Sequence, residues 1–105
     1  MSDPSAKPEV ARSNRWPACR RAHLKRQPVC QACGSRKNLE VHHRLPFHLF
    51  PELELVQENL ITLCEDPGKN CHFMFGHLYS WHAYNPSVVE DAALWREKIA
   101  TRAVA

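Results

Sequence analysis

A small α+β domain with a helix on each flank is the fold class the sequence predicts, and three observations predict it. The chain has 105 residues, near the common size of one domain. Its apolar residues are scattered among eight prolines and short polar segments, so the core must be shared among small elements rather than one broad sheet. Two short segments, residues 39–42 and 60–63, carry strand patterning, and helical spacing recurs near both ends. No stretch approaches the apolar length of a membrane span. Residues 1–9 hold Ser, Pro and Lys without the apolar run of a secretory signal, which points to a reducing cell interior and a cytoplasmic protein.

Residues 1–12 are polar, proline-bearing and without periodicity, so they are expected to be a disordered tail, and residues 13–105 a single domain with its core motif at about 28–80. Ser13 or Asn14 is expected to cap a first helix, with Pro17 in its first turn and Trp16, Cys19 and His23 on one face. Pro28 ends it, and Cys30, Cys33 and Gly34 make a compact turn. The strand at 39–42 follows, then a loop rich in proline and aromatics. In that loop Phe47, Phe50, Leu53 and Leu55 are expected to cover the core. The strand at 60–63 is closed by Cys64, and a helix starts near Cys71. Ser87 and Glu90 have the spacing of a capping box, and Val88, Ala92, Trp95 and Ile99 recur at helical spacing in a last, structural helix. Asn85-Pro86 is a turn signal, so Trp81, His82 and Tyr84 before it are expected to pack the preceding helix on this last one.

Charge is uneven along the chain. Residues 1–40 hold nine Lys or Arg against three acids, a balance of +6, and residues 41–105 hold five against eight, a balance of −3. A basic front half suits a phosphate backbone, and it equally suits a solvated helix face. If nucleic acid is bound, Arg20, Arg21, Lys25 and Arg26 of the first helix, with Arg36, Lys37 and Arg44, are the candidate contacts. The acids Glu52, Glu54 and Glu58 turn it away from the loop between the strands.

Five cysteines in a reducing compartment are better taken as metal ligands than as disulfides. Cys30-x2-Cys33 and Cys64-x6-Cys71 bring four thiolates together, the donor set of a structural zinc site, which supplies folding free energy that a small core lacks. Pro67 and Gly68 can turn the wide second gap back on itself. Cys19 has no partner and belongs to the helix core.

The pair His42-His43 ends the first strand. Strand alternation sends neighbouring side chains to opposite faces, so one can bind metal while the other holds water. Asn59, the strand 60–63 and Cys64 follow, then Cys71-His72. Taken together, Cys30-x2-Cys33, Leu39-Glu40-Val41-His42-His43, Asn59-Leu60-Ile61-Thr62-Leu63-Cys64 and Cys71-His72 resemble the HNH endonuclease family in its zinc-bearing branch, over residues 16–77. The loop 44–58 departs from many relatives in lacking a glycine pair.

The resemblance implies the ββα-metal (His-Me finger) arrangement, in which two short antiparallel strands and a helix grip one catalytic metal. It implies His43 as general base, His42 and His72 as ligands of the catalytic ion, and Asn59 as the residue that orients the base or braces the loop. His77 is a further candidate ligand, although it lies five residues beyond His72 where a shared helical face prefers three or four. The implied activity is metal-dependent hydrolysis of DNA phosphodiester bonds. The implied cofactors are a structural zinc and one divalent cation, for which imidazole donors admit zinc, nickel or manganese besides magnesium. The alternative is a non-catalytic zinc-finger-like module that binds nucleic acid or protein. Such a module has no need of a base beside a metal ligand, and that favours the nuclease.

Overall fold

The computed structural model describes residues 12–102. All but Arg12 of the expected tail, and residues 103–105, lie outside that range. Helix α1 spans Trp16–Arg26, strand β1 Leu39–His43, strand β2 Leu60–Cys64 and helix α2 Val88–Thr101; short 3-10 turns sit at Pro51–Leu53 and Gln57–Asn59, and a π-helix occupies His72–Gly76. No helix among the described residues is long and apolar enough to cross a membrane.

The two strands pair antiparallel, with Leu39 opposite Cys64, Val41 opposite Thr62 and His43 opposite Leu60. Because side chains alternate across a strand, this register divides the ribbon into two faces with a small core on each. On one face Val41 and Leu60 pack under Trp16 of α1, with Cys19, Leu24 and Leu55 at the margin. On the other, Ile61 and Leu63 meet Cys30, Cys64, Cys71 and the α2 residues Val88 and Ala92. Neither cluster is large, which is why a chain of this size needs a staple beyond apolar burial.

Helix α1 begins two residues later than a Ser13 cap requires and one later than an Asn14 cap: Arg15 is its N-cap, and among the described residues no side chain caps it. Ser13 still serves the turn, its Oγ accepting from the Arg15 N–H at 3.1 Å. Trp16 and His23 are buried on the expected face. Cys19 is half-buried, receiving a hydrogen bond from Gln57 at 3.3 Å. The cysteine turn closes through the Gly34 N–H to the Cys30 carbonyl at 2.8 Å, with Gly34 at φ +82°, a left-handed conformation that glycine adopts without a Cβ clash.

The capping box expected at α2 does not form. Ser87 is the N-cap, but its side chain makes no capping hydrogen bond. Asn85 does that work: its Oδ1 accepts from the Ser87 N–H at 3.0 Å and its Nδ2 donates to Asp91 at 2.8 Å. Asn85 also donates to the Phe75 carbonyl at 3.0 Å, and its own N–H reaches the Gly76 carbonyl at 3.0 Å. One buried amide thus ties the start of α2 to the end of the π-helix.

Candidate active site

Two groups of side chains converge as metal sites do. The first is Cys30, Cys33, Cys64 and Cys71, whose sulfurs all lie within 4.8 Å of one another. Cys33 Sγ and Cys64 Sγ are 3.7 Å apart, which matches the roughly 3.8 Å edge of a tetrahedron with zinc–sulfur bonds of about 2.3 Å. Cys30, Cys64 and Cys71 are buried. The Cys71 thiol hydrogen-bonds to Cys30 and drives its pKa down to about 4, while Cys71 itself is pushed up. A thiolate is already favoured in this sealed cluster, as a zinc site requires.

The second group is His42, His72 and His77. His72 Nε2 stands 3.1 Å from His42 Nδ1 and 3.2 Å from His77 Nε2. Nitrogens about 2.0–2.1 Å from a shared ion at a tetrahedral angle would be about 3.3 Å apart, so the donor set fits a divalent metal. Two of the three rings are oriented from behind. His72 Nδ1 hydrogen-bonds Glu65 Oε2 at 2.8 Å, and His77 Nδ1 donates to the Ala83 carbonyl at 2.8 Å. Both partners turn Nε2 toward the centre, the outer-shell pattern of ligating histidines. His42 is buried, with Nε2 unpartnered. Burial first, and then the neighbouring imidazoles His72, His77 and His43, hold its pKa well below the usual histidine range, so it is the neutral form that stands ready to coordinate.

The five-residue step from His72 to His77 is resolved by the π-helix. Its wider turn, closing on i+5 rather than i+4, returns His77 to the side of His72. After it the chain reverses through Leu78 and Tyr79, both at positive φ (52° and 65°), and the Tyr79 N–H closes on the Phe73 carbonyl at 3.0 Å. Gly76 is required at the close approach: a Cβ there would stand 2.9 Å from His42 Cε1 and 3.0 Å from Nδ1.

His43 faces the other side of β1, under Trp16 at 4.7 Å and beside Phe47 at 5.1 Å between ring centroids. Its Nε2 is 2.8 Å from the Glu54 carbonyl oxygen, which can only accept, so Nε2 carries the proton and Nδ1 keeps a lone pair. Arg12 Nη1 approaches that lone pair at 3.4 Å, with the guanidinium 5.0 Å from the centroid of Trp16 and 4.6 Å from that of Phe47. Burial lowers the pKa of His43; the Glu54 hydrogen bond opposes this and the Arg12 charge adds to it.

Although they point to opposite faces, His42 and His43 line one cavity of about 220 Å³ with Arg12, Phe47, His72 and His77. The cavity runs along the free edge of β1, where both faces of the strand are reached at once.

Asn59 is buried but does not touch His43. Its Oδ1 accepts from the Leu45 N–H at 3.0 Å, and its Nδ2 donates to the carbonyls of Leu45 at 3.0 Å and Leu53 at 3.3 Å. It braces the loop 44–58 that carries Glu54, and so acts on His43 at one remove. Trp81 packs on the rings of His72, Phe73 and His77 at 4.7–5.1 Å. It is therefore a wall of the histidine cluster, whereas the sequence put it between the two last helices.

The expected nucleic-acid contacts are dispersed. Arg21, Lys25, Arg36 and Lys37 are exposed. Arg20 is engaged by the Leu39 carbonyl at 3.2 Å and Glu40 at 3.7 Å. Arg26 and Arg44 line a different cavity, beside Leu60 and Ile61 of β2. Sequence reasoning missed three residues at the site. Arg12 lay in a segment without periodicity, Glu65 carried no signal beyond following Cys64, and Trp81 was assigned to packing.

Residues 30–75 match the family model described as HNH endonuclease. No curated protein and no solved structure matches the chain. Over that stretch the chain is similar to the HNH endonuclease family, and its four-cysteine cluster fits the zinc-bearing branch of that family.

Proposed function

We propose that this domain is a metal-dependent endonuclease that hydrolyses DNA phosphodiester bonds, with Nδ1 of His43 as the general base. The observation that carries the reading is the hydrogen bond from His43 Nε2 to the Glu54 carbonyl, in a cavity shared with three converging imidazoles. It fixes the tautomer with a lone pair toward the cavity, and the lowered pKa keeps that lone pair unprotonated at neutral pH.

Hydrolysis needs a water that loses its proton as its oxygen attacks phosphorus in line with the departing 3′ oxygen. His43 Nδ1 takes that proton. The Glu54 carbonyl stabilises the resulting imidazolium by accepting from Nε2–H, and Trp16 and Phe47 hold the ring. His42 through Nδ1 and His72 and His77 through Nε2 would hold the divalent ion, which supplies charge neutralisation for the phosphate and the leaving oxygen. Three neutral nitrogen donors suit zinc or nickel better than magnesium. Glu65 and Ala83 keep two of those rings aimed. Zinc in the four-thiolate cluster would hold the β-ribbon to the π-helix without entering the chemistry.

The test is supercoiled plasmid cleavage with added magnesium, manganese, nickel or zinc, comparing the parent chain with His43→Ala. Metal-dependent nicking that disappears in the variant supports both the activity and the base. A folded, zinc-loaded parent that cuts with none of the four ions contradicts the reading and favours a binding module. Cutting that survives the substitution contradicts the assignment of the base.

A further inference from the structure

A second cavity, of about 600 Å³, opens at the outer edge of β2 and shares no lining residue with the histidine cavity at the edge of β1. Three arginines from three separate elements line it: Arg26 from the last turn of α1, Arg44 just after β1, and Arg96 from α2. Its floor includes Leu60 and Val89, and Glu58 is its one carboxylate.

Three guanidiniums around one hollow repel one another unless an anion sits among them. Among the described residues, the one carboxylate in the lining, that of Glu58, pairs with none of them. Arg44 Nη1 reaches the backbone carbonyl of Glu58 at 3.3 Å rather than its carboxylate, and Arg26 reaches the amide oxygen of Gln57 at 3.4 Å. Among the described residues, none of the three is in an ion pair. Arg44 Nε is buried with no hydrogen-bond partner, an orphaned donor of the kind that marks a missing acceptor. Arg96 is placed by contact rather than by charge: its guanidinium lies on the open face of Gly34, where a Cβ would overlap it. The cysteine turn therefore sets the position of one wall of the hollow.

We propose that Arg26, Arg44 and Arg96 form a phosphate-binding site in this cavity, and that it anchors a backbone phosphate of the nucleic acid away from the scissile bond. The chemistry, a tetrahedral oxyanion met by forked donors, follows from the arginines alone. Only the source of the phosphate rests on the nuclease reading. The site shares no lining residue with the cavity of His43, so it contributes to affinity and placement rather than to the bond-breaking step.

The experiment uses the zinc-loaded full chain. The Nε–Hε NMR signal of Arg44 is followed on addition of inorganic phosphate and, separately, of a short DNA duplex. Duplex binding is also measured across a salt series for the parent, Arg44→Gln and Arg26→Gln. We expect the Arg44 signal to move with both ligands. Each variant should weaken duplex binding about tenfold and lower the slope of log affinity against log salt by about 0.9, the value for one phosphate left unneutralised. Lys98→Gln, on the exposed surface of α2, should leave the Arg44 response unchanged. Arg96→Lys, with zinc content and Tm read alongside, keeps the charge and should retain part of the affinity.

An Arg44 signal that moves with neither ligand, in a folded protein, overturns the proposal. A signal that moves with phosphate alone overturns the backbone source and identifies a free oxyanion as the ligand. Absence of plasmid cleavage beside a duplex-responsive Arg44 removes the nuclease reading and leaves this site standing. Cleavage with an unresponsive Arg44 does the reverse.

Discussion

The cysteine and histidine clusters are a few residues apart in sequence, joined by the dipeptide Cys71-His72, yet they are built for opposite ends. Three of the four cysteines are buried in the larger core cluster, and four thiolates fill a tetrahedron with no position left open. The histidines offer three donors at the wall of a cavity, with His72 and His77 only half-buried. A closed site can hold a fold together, whereas an open one leaves room for phosphate and water. Placing the two on adjacent residues lets the rigidity of the first set the geometry of the second.

The largest effect should come from breaking the closed site. Cys64→Ser removes one of the four thiolate donors; a structural zinc on such a donor set is worth about 10 kcal/mol or more in small domains, so the variant should lose cooperative unfolding altogether. Circular dichroism on heating checks this, and a variant that melts like the parent would show that apolar packing suffices. Breaking the chemistry should instead leave the fold intact. His43→Ala should reduce cleavage by about 10²–10⁴ while zinc content and Tm stay near the parent's, measured by single-turnover kinetics and metal analysis.

Smaller effects test how the open site is aimed. Glu65→Gln keeps the volume and removes the charge behind His72, and should weaken binding of the second ion by about 10–100-fold without moving the first, as read by titration calorimetry. Gly76→Ala, which crowds the His42 ring, should weaken the same ion by about tenfold. An unchanged affinity in both would mean the three imidazoles do not bind as a unit.

The smallest effect is on pH. Burial lowers the pKa of His43 from its usual value near 6.5, so the folded protein refuses a proton that the unfolded chain accepts. Its contribution to stability, and its use as a base, are therefore full above about pH 6.5 and are lost as pH falls through the lower folded value. The acid limb of kcat/KM should have its inflection below 6.5, and an inflection above it would contradict the environment assigned to His43.

Much of this was legible in the sequence, and the exceptions have physical causes. Both strands were expected within one residue of their ends, because alternation and flanking turn residues mark them locally. The four cysteines were expected as one cluster, because spacing and donor type suffice. The π-helix was not foreseen. Periodicity assumes 3.6 residues per turn, so His77 looked misplaced until the wider turn brought it beside His72. Arg12 escaped because its contacts with His43 and Phe47 join positions more than thirty residues apart and leave no local signal. Ser87 and Glu90 had the spacing of a cap, but Asn85, committed to Phe75 and Asp91, had already taken the role.

The central claim is that two sites divide the labour, one sealed for folding and one open for chemistry. Native mass spectrometry of the metal-loaded chain under mild chelation, with circular dichroism and plasmid nicking on the same samples, tests it most directly. The account predicts that one ion leaves first and takes the nicking activity with it, while a single zinc and the folded spectrum remain. Two ions that leave together as the fold collapses, or nicking that persists once the first has gone, would contradict it.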